Sequence, residues 1–125
     1  MTVTIRSRLS FSETVAKLSQ EIGATGSTIF ATIDQAAAAQ AAGLSLRPTT
    51  LIVFGNPKAG TPLTDAFPLL ALDLPLKILI WEQDASVNVA FVPFSEIAGR
   101  YGVTSHDAQI AAIDRALDTV TQTIA

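Results

Sequence analysis

The chain has no cysteine and a single histidine, His106. The missing cysteine excludes disulfides, thiolate metal sites, iron–sulfur ligation and cysteine nucleophiles. With one histidine, a zinc site, which takes three or four N, S or O ligands, would have to be built almost wholly from carboxylates. We therefore expect no metal and no cofactor. No nucleophile–base–acid pattern surrounds His106, so no catalytic residue is assigned. Basic residues are also few: eight Lys and Arg against eleven Asp and Glu give a net charge of −3. They are scattered singly, with Arg6 and Arg8 the one local pair on a common face, whereas nucleic-acid binders usually show a basic face. No apolar run reaches the ~18 residues of a membrane span, and the alanine-rich stretch Ala36–Ala42 is closed by Gly43. The first ten residues lack the charged start, apolar centre and small-residue cleavage site of a signal peptide. The expectation is a cytoplasmic protein with neither a nucleic-acid nor a membrane partner.

What is present reads as one domain, residues 1–125, long enough to bury roughly two thirds of its unfolded surface. Val3, Ile5, Ser7 and Leu9 alternate with polar residues, the period of a half-buried strand. Ser10 and Glu13 fit a capping box, and Phe11, Val15, Leu18 and Ile22 then form one helical face, with Gly23 suited to the position after the helix. Thr28–Ile33 is a β-branched strand, and Asp34 can cap a short helix, Gln35–Ala42, ended by Gly43. The unbroken apolar run Leu51–Phe54 predicts a central strand covered on both faces or by a dimer partner. Thr61-Pro62 fits the cap and first position of a helix that Pro68 shortens. Leu76–Glu82 and Val87–Phe91 read as a hairpin around the polar turn Gln83–Ser86. Phe94–Gly99 is a helical turn. In the last helix, Thr104 or Ser105 can cap, Ile110, Ile113, Leu117, Val120 and Ile124 face the core, and Gln109, Asp114, Asp118 and Gln122 face out. This order predicts an α+β, two-layer sandwich: a mixed or antiparallel sheet with helices packed on one face.

The densest group of backbone constraints is Arg47–Leu63, RPTTLIVFGNPKAGTPL. Together with ALDLPLKILIWE it resembles the bacterial domain of unknown function 302 family, over about Phe11 to Gly102. The resemblance implies a compact α+β domain of the TATA-box-binding-protein-like class, often dimeric, and no assigned reaction. Three positions depart from the family pattern. Asp34-Gln35 stands where many relatives read Asp-His, Thr64 where they often carry Met, and Ala90-Phe91-Val92-Pro93 where they often read Tyr-Asn-Asp-Pro. If the family used that histidine for a proton or a metal, Gln35 cannot replace it.

The residues of this segment suggest a site. The loop Gly55–Thr61 lies between a strand and a helix start, where free N–H groups can meet an anion, and Lys58 could add charge. Its Gly-Lys-Ser/Thr ending is absent, so it is not a P-loop. The structural alternative is a demanding turn: Gly55 and Gly60 would allow unusual φ, Pro57 and Pro62 would fix it, and Thr61 would cap. Asp73 sits in an apolar stretch and needs a partner if buried, with Arg47 or Lys77 within the chain as candidates. A strand of five to seven residues spans roughly 17–23 Å, which keeps Arg47 away from the loop at the far end of its own strand. Asn56 is then the best single candidate among Gly55, Asn56, Lys58, Gly60, Thr61, Asp73 and Arg47. The leading expectation is a homodimeric module that binds a small ligand or a protein without turnover. The alternative is an enzyme acting on a small anionic metabolite through the Gly55–Thr61 loop and Asp73.

Overall fold

The computed structural model describes residues 1–125. Its elements are strand β1 (Val3–Arg6), helix α1 (Phe11–Ala24), β2 (Thr28–Asp34), α2 (Gln35–Ala41), β3 (Thr49–Gly55), α3 (Pro57–Ala66), a 3₁₀ turn (Pro68–Asp73), β4 (Leu76–Gln83), β5 (Ser86–Phe91), α4 (Phe94–Arg100) and α5 (Asp107–Gln122). The five strands form one sheet in the order β1-β5-β4-β3-β2, with every neighbouring pair antiparallel. Of the mixed and antiparallel sheets that the pattern allowed, the chain forms the antiparallel one.

Period-two alternation decides which face is buried. Ile52 and Phe54 of β3, Ile78 and Ile80 of β4, and Val87, Val89 and Phe91 of β5 share one face and pack under Leu18 and Ile22 of α1 and Leu117 and Val120 of α5. A second cluster, including Leu63, Leu70, Phe94, Ile97 and Ile110, ties α3, the 3₁₀ turn and α4 to α5. The other face of the sheet has no such layer. Leu51 and Val53 of β3 and Leu79 and Trp81 of β4 are only half-buried there, with Leu51 opposite Leu79 and Thr49 opposite Trp81. Within one chain, the expectation of a central strand covered on both faces is thus corrected to cover on one.

Local signals place several boundaries. The capping box closes α1 reciprocally: Glu13 N–H donates to Ser10 Oγ at 3.2 Å and Ser10 N–H to Glu13 Oε1 at 3.4 Å. Ala37 N–H donates to Asp34 Oδ1 at 2.9 Å, capping α2. The β4–β5 hairpin turns on Asp84 (φ 52°) and Ala85 (φ 63°), both left-handed, as a two-residue primed turn demands. Other boundaries move. Gly23 lies inside α1, and the left-handed residue is Gly26 (φ 81°). β1 stops at Arg6; Ser7 still donates its N–H to Val87 O at 2.8 Å, and its hydroxyl shares a 2.6 Å hydrogen bond with Thr14 Oγ1. Neither Thr104 nor Ser105 caps α5; His106 takes the cap position with φ 66° and no side-chain bond to the helix. Asp114, expected to face solvent, reaches across to α4 and accepts N–H bonds from Phe94 at 2.7 Å and Ser95 at 3.3 Å. It supplies the cap that Pro93, ahead of α4, cannot.

Candidate functional site

The end of β3 runs directly into α3, five residues earlier than Thr61-Pro62 suggests. Asn56 is the cap and Pro57 the first helical residue, which leaves Thr61 and Pro62 inside the helix. The first turn is satisfied from within. Lys58 N–H donates to Asn56 Oδ1 at 3.0 Å, while Ala59 and Gly60 N–H groups donate to Asn56 O at 3.0 and 2.9 Å. Pro57 has no N–H to offer. The N–H groups of the first turn of α3 are therefore committed and not free to meet an anion. Gly55 and Gly60 also have no positive φ; the left-handed glycines are Gly26, Gly43 and Gly102.

Beside this junction the fold opens a cleft of about 550 Å³. It lies where α5 diverges from α3 over the ends of β3 and β4. Its interior is made by Phe54, Leu76, Phe94, Leu117 and Val120, and the wall toward α5 is kept low by Ala112 and Ala116. Small uncharged polar groups stand at the edges: Ser27, Asn56, Thr61, Thr64 and Gln109. Of the 22 lining residues, 12 are hydrophobic and none is ionisable, so the cleft has volume but no charge.

One lining residue stands at an irregularity. Ile29 pairs with Phe54 and Ala31 with Val53, which leaves Phe30 without an opposite residue, a β-bulge. In an unbroken ladder Phe30 would stand opposite Val53, on the open face of the sheet. Phe30 borders the mouth of the cleft, where it is 54% exposed. Its ring lies over Gly55: a Cβ added at Gly55 would sit 3.5 Å from Phe30 Cε2.

Asp73 belongs to a different depression, of about 90 Å³, formed with Lys77, Val92, Ile97 and Arg100. Its partners are not Arg47 but Tyr101, whose hydroxyl donates to Oδ2 at 2.6 Å, and Arg100, whose Nη1 lies 3.5 Å from the same oxygen. The Tyr101 hydrogen bond holds the Asp73 carboxyl below its ordinary range; partial desolvation opposes this, and Arg100 and Lys77 reinforce it. The same bond, with partial desolvation, raises Tyr101 above the usual phenol value. Arg100 also reaches Glu96, at 3.8 Å.

The chain thus brings Gly55, Asn56, Gly60 and Thr61 to the cleft and leaves out Lys58, Arg47 and Asp73. Lys58 is exposed on α3, and Arg47 is exposed ahead of the start of β3, the end away from the cleft. His106 has a ring nitrogen 2.8 Å from Ser105 Oγ and an edge-on contact with Phe67 at 6.2 Å between ring centroids. Sequence reasoning missed Phe30 and the α5 wall. The i, i+4 pair Ala112 and Ala116 was a readable sign of close approach or open space on one helix face. Phe30 was not readable, because the bulge breaks the alternation that would place it.

The family model described as "Domain of unknown function DUF302" matches residues 2–120. Two curated relatives, from Brucella suis biovar 1 (strain 1330) and Brucella abortus biovar 1 (strain 9-941), are each named fluoride-specific ion channel FluC 1 and are each 36% identical over 122 residues. The alignments cover 96% of this chain but 48% and 45% of those proteins. The chain therefore spans about half the length of the curated relatives it matches. Among solved structures, that of an uncharacterized conserved protein DUF302 from Bacillus stearothermophilus superposes with a TM-score of 0.90, covering 99% of this chain and 98% of that one at 15% identity. At that identity the likeness is one of fold.

Proposed function

The chain belongs to the DUF302 family, and we propose that it is a binding module that holds a small molecule in the cleft between α3 and α5 without turning it over. The observation that carries this reading is the cleft itself: about 550 Å³, largely apolar, with a few polar groups at its edges. That is the size and character of small-molecule sites. Its hydroxyls and amides can orient a ligand, but no neighbouring base would activate them as nucleophiles. Asp73, the carboxylate an enzyme reading would use, opens into the other depression.

The channel name of the Brucella relatives does not transfer as an activity. No helix of this chain is long and apolar enough to cross a membrane, and a channel must cross one. In our reading the channel lies in the unmatched part of those proteins, and the part similar to this chain is a module attached to it. Fluoride is a poor ligand for the cleft, which has no ionisable lining residue and no uncommitted N–H group in the first turn of α3. The reading keeps the cytoplasmic location expected from the sequence and assigns no nucleic-acid partner.

The test is a thermal-shift screen of small molecules on the wild type and on Ala116→Trp, which puts an indole into the open space. A ligand at a hundred times its Kd stabilises by about 2.7 kcal/mol, a rise in Tm of roughly 5–10 °C for a domain of this size. Ligands that shift the wild type but not the filled variant support the cleft. A chemically broad screen that shifts neither removes it.

Self-association is a second part of the reading, carried by the open face of the sheet. Leu51, Val53, Leu79 and Trp81 lie side by side on β3 and β4 without a covering layer, and an apolar sheet face of this kind is normally packed. Two copies related by a two-fold axis can stack these faces as in a sandwich. Sedimentation equilibrium at micromolar concentration should give a dimer and, for Leu79→Glu, a folded monomer. A monomeric wild type would end this part of the reading.

A further inference from the structure

Resting on the cleft reading, we infer that its ligand is an uncharged aromatic molecule and that Phe30 is the side chain that grips its ring. Three independent features lead there. The first is electrostatic. None of the 22 residues lining the cleft is ionisable, and a charge entering an apolar site without a partner loses its hydration uncompensated. The second is composition. Phe30 presents an exposed ring to this space, with the rings of Phe54 and Phe94 buried behind its wall. Aromatic rings prefer offset or edge-on contact with other rings, beyond the area they bury. The third is the bulge. There a phenylalanine borders the mouth, more than half exposed, giving up a ladder position and leaving apolar surface in water. The ring packs on one side beside Gly55, and an aromatic ligand at the mouth would cover the part that packing within the chain leaves exposed.

Size agrees. A cavity of about 150 Å³ accepts a benzene ring, so a space of about 550 Å³ takes a molecule of two or three rings. Asn56, Thr61 and Gln109 at the edges suit a hydroxyl, carbonyl or amine on that molecule, since an amide or hydroxyl side chain both donates and accepts. Gly55 has a part as well: the Phe30 ring lies beside it, at ordinary contact distance from where a Cβ would stand, so only atoms beyond a Cβ would press on the ring.

The experiment uses two fluorescent probes with one ring system, neutral phenylnaphthylamine and its sulfonated analogue, titrated into the wild type, Phe30→Ala, Ala116→Trp and Leu79→Glu. We expect the neutral probe to bind at micromolar concentration and the sulfonate at least about tenfold more weakly. Phe30→Ala should weaken the neutral probe about tenfold while Tm stays close to wild type, because its side chain is largely exposed. Ala116→Trp should abolish binding, and Leu79→Glu should leave it unchanged. Naphthylmethanol should displace the probe at lower concentration than decanol. Equal binding of the sulfonate would overturn the uncharged class, and stronger displacement by decanol the aromatic class, with the cleft itself retained in both cases. Unchanged affinity in Phe30→Ala would remove Phe30 from the site. Loss of binding in Leu79→Glu but not in Ala116→Trp would move the probe to the sheet face and overturn the inference. If neither probe binds, the inference and the cleft reading fall together.

Discussion

One short segment, Ala71–Lys77, serves two depressions of opposite character. Ala71, Leu74, Pro75 and Leu76 contribute to the large cleft, while Asp73 and Lys77 contribute to the small charged pocket. The charged pocket holds the residues that attract attention in a sequence, yet they are occupied with one another: Tyr101 and Arg100 hold Asp73, and Glu96 shares Arg100. The cleft has none of these groups and has the volume. Here ionisable side chains mark a structural tie between the 3₁₀ turn and α4, and their absence marks the space open to a ligand. Partly exposed ion pairs of this kind contribute little to stability, so the two regions should differ sharply in what mutation does to them.

The largest expected effect lies in the cleft and separates its frame from its mouth. Phe94 is completely buried between α4, α5 and the 3₁₀ turn, so Phe94→Ala should cost about 3–5 kcal/mol. Phe30→Ala, at the mouth, should cost less than about 1 kcal/mol. Urea midpoints at constant slope measure both. If the two substitutions cost the same, Phe30 is part of the frame and the contrast between frame and mouth fails.

Next in size is Asp114, whose carboxylate supplies the missing cap of α4 and so fixes the helix that carries Arg100 and Tyr101. Asp114→Ala should cost about 1–2 kcal/mol. Asp114→Asn, which keeps an acceptor oxygen, should recover part of that loss. The measurement is again a denaturant midpoint, and an alanine variant as stable as wild type would show that the bonds at Phe94 and Ser95 are replaced by water.

These two cases also show what the sequence could reveal. The sheet, the helices and their apolar faces follow from periods of two and 3.6, and they are legible in Ile52, Ile78, Val89, Leu18 and Leu117. Boundaries were legible where a residue caps its own helix, as Ser10 and Asp34 do. They were not legible where competing local signals lie close together, as in Asn56-Pro57 against Thr61-Pro62. Asp114 capping a helix 19 and 20 residues away leaves no local trace, and neither does the pairing of Asp73 with Tyr101. Four of the seven candidate residues border the cleft, because the loop after β3 marks where the sheet ends and the helices separate. The reason first advanced for them, free N–H groups for an anion, does not survive the hydrogen bonds that Asn56 accepts.

A smaller effect tests Gly60 as a plain helix residue. It lies inside α3 without a positive φ, and an added Cβ would meet nothing within 4 Å. Gly60→Ala should therefore stabilise by about 0.5–1 kcal/mol, through reduced freedom of the unfolded chain. Lower stability would mean that the backbone at Gly60 is strained after all.

The smallest effect belongs to the charged pocket and is best read through its pH dependence. Removing the hydroxyl in Tyr101→Phe deletes the largest influence on Asp73 and the Tyr101 titration itself. Asp73 has its pKa lowered from 3.8 in the folded state. Its contribution is therefore present above that unfolded value and is lost as pH falls through the folded one. Tyr101 has its pKa raised from 10.0. Its contribution is present below that value and is lost as pH rises through the folded one. The stability difference between wild type and Tyr101→Phe should then be flat from about pH 5 to 9 and shrink on both sides. In the same variant the Asp73 carboxyl, followed by NMR titration, should move up toward its ordinary value. Probe binding in the cleft should not change across the plateau, because no ionisable group lines it. A difference that grows on acidification would mean that the hydroxyl does not favour the Asp73 carboxylate. A probe affinity that tracks the Asp73 titration would mean that the two depressions are coupled through the segment they share.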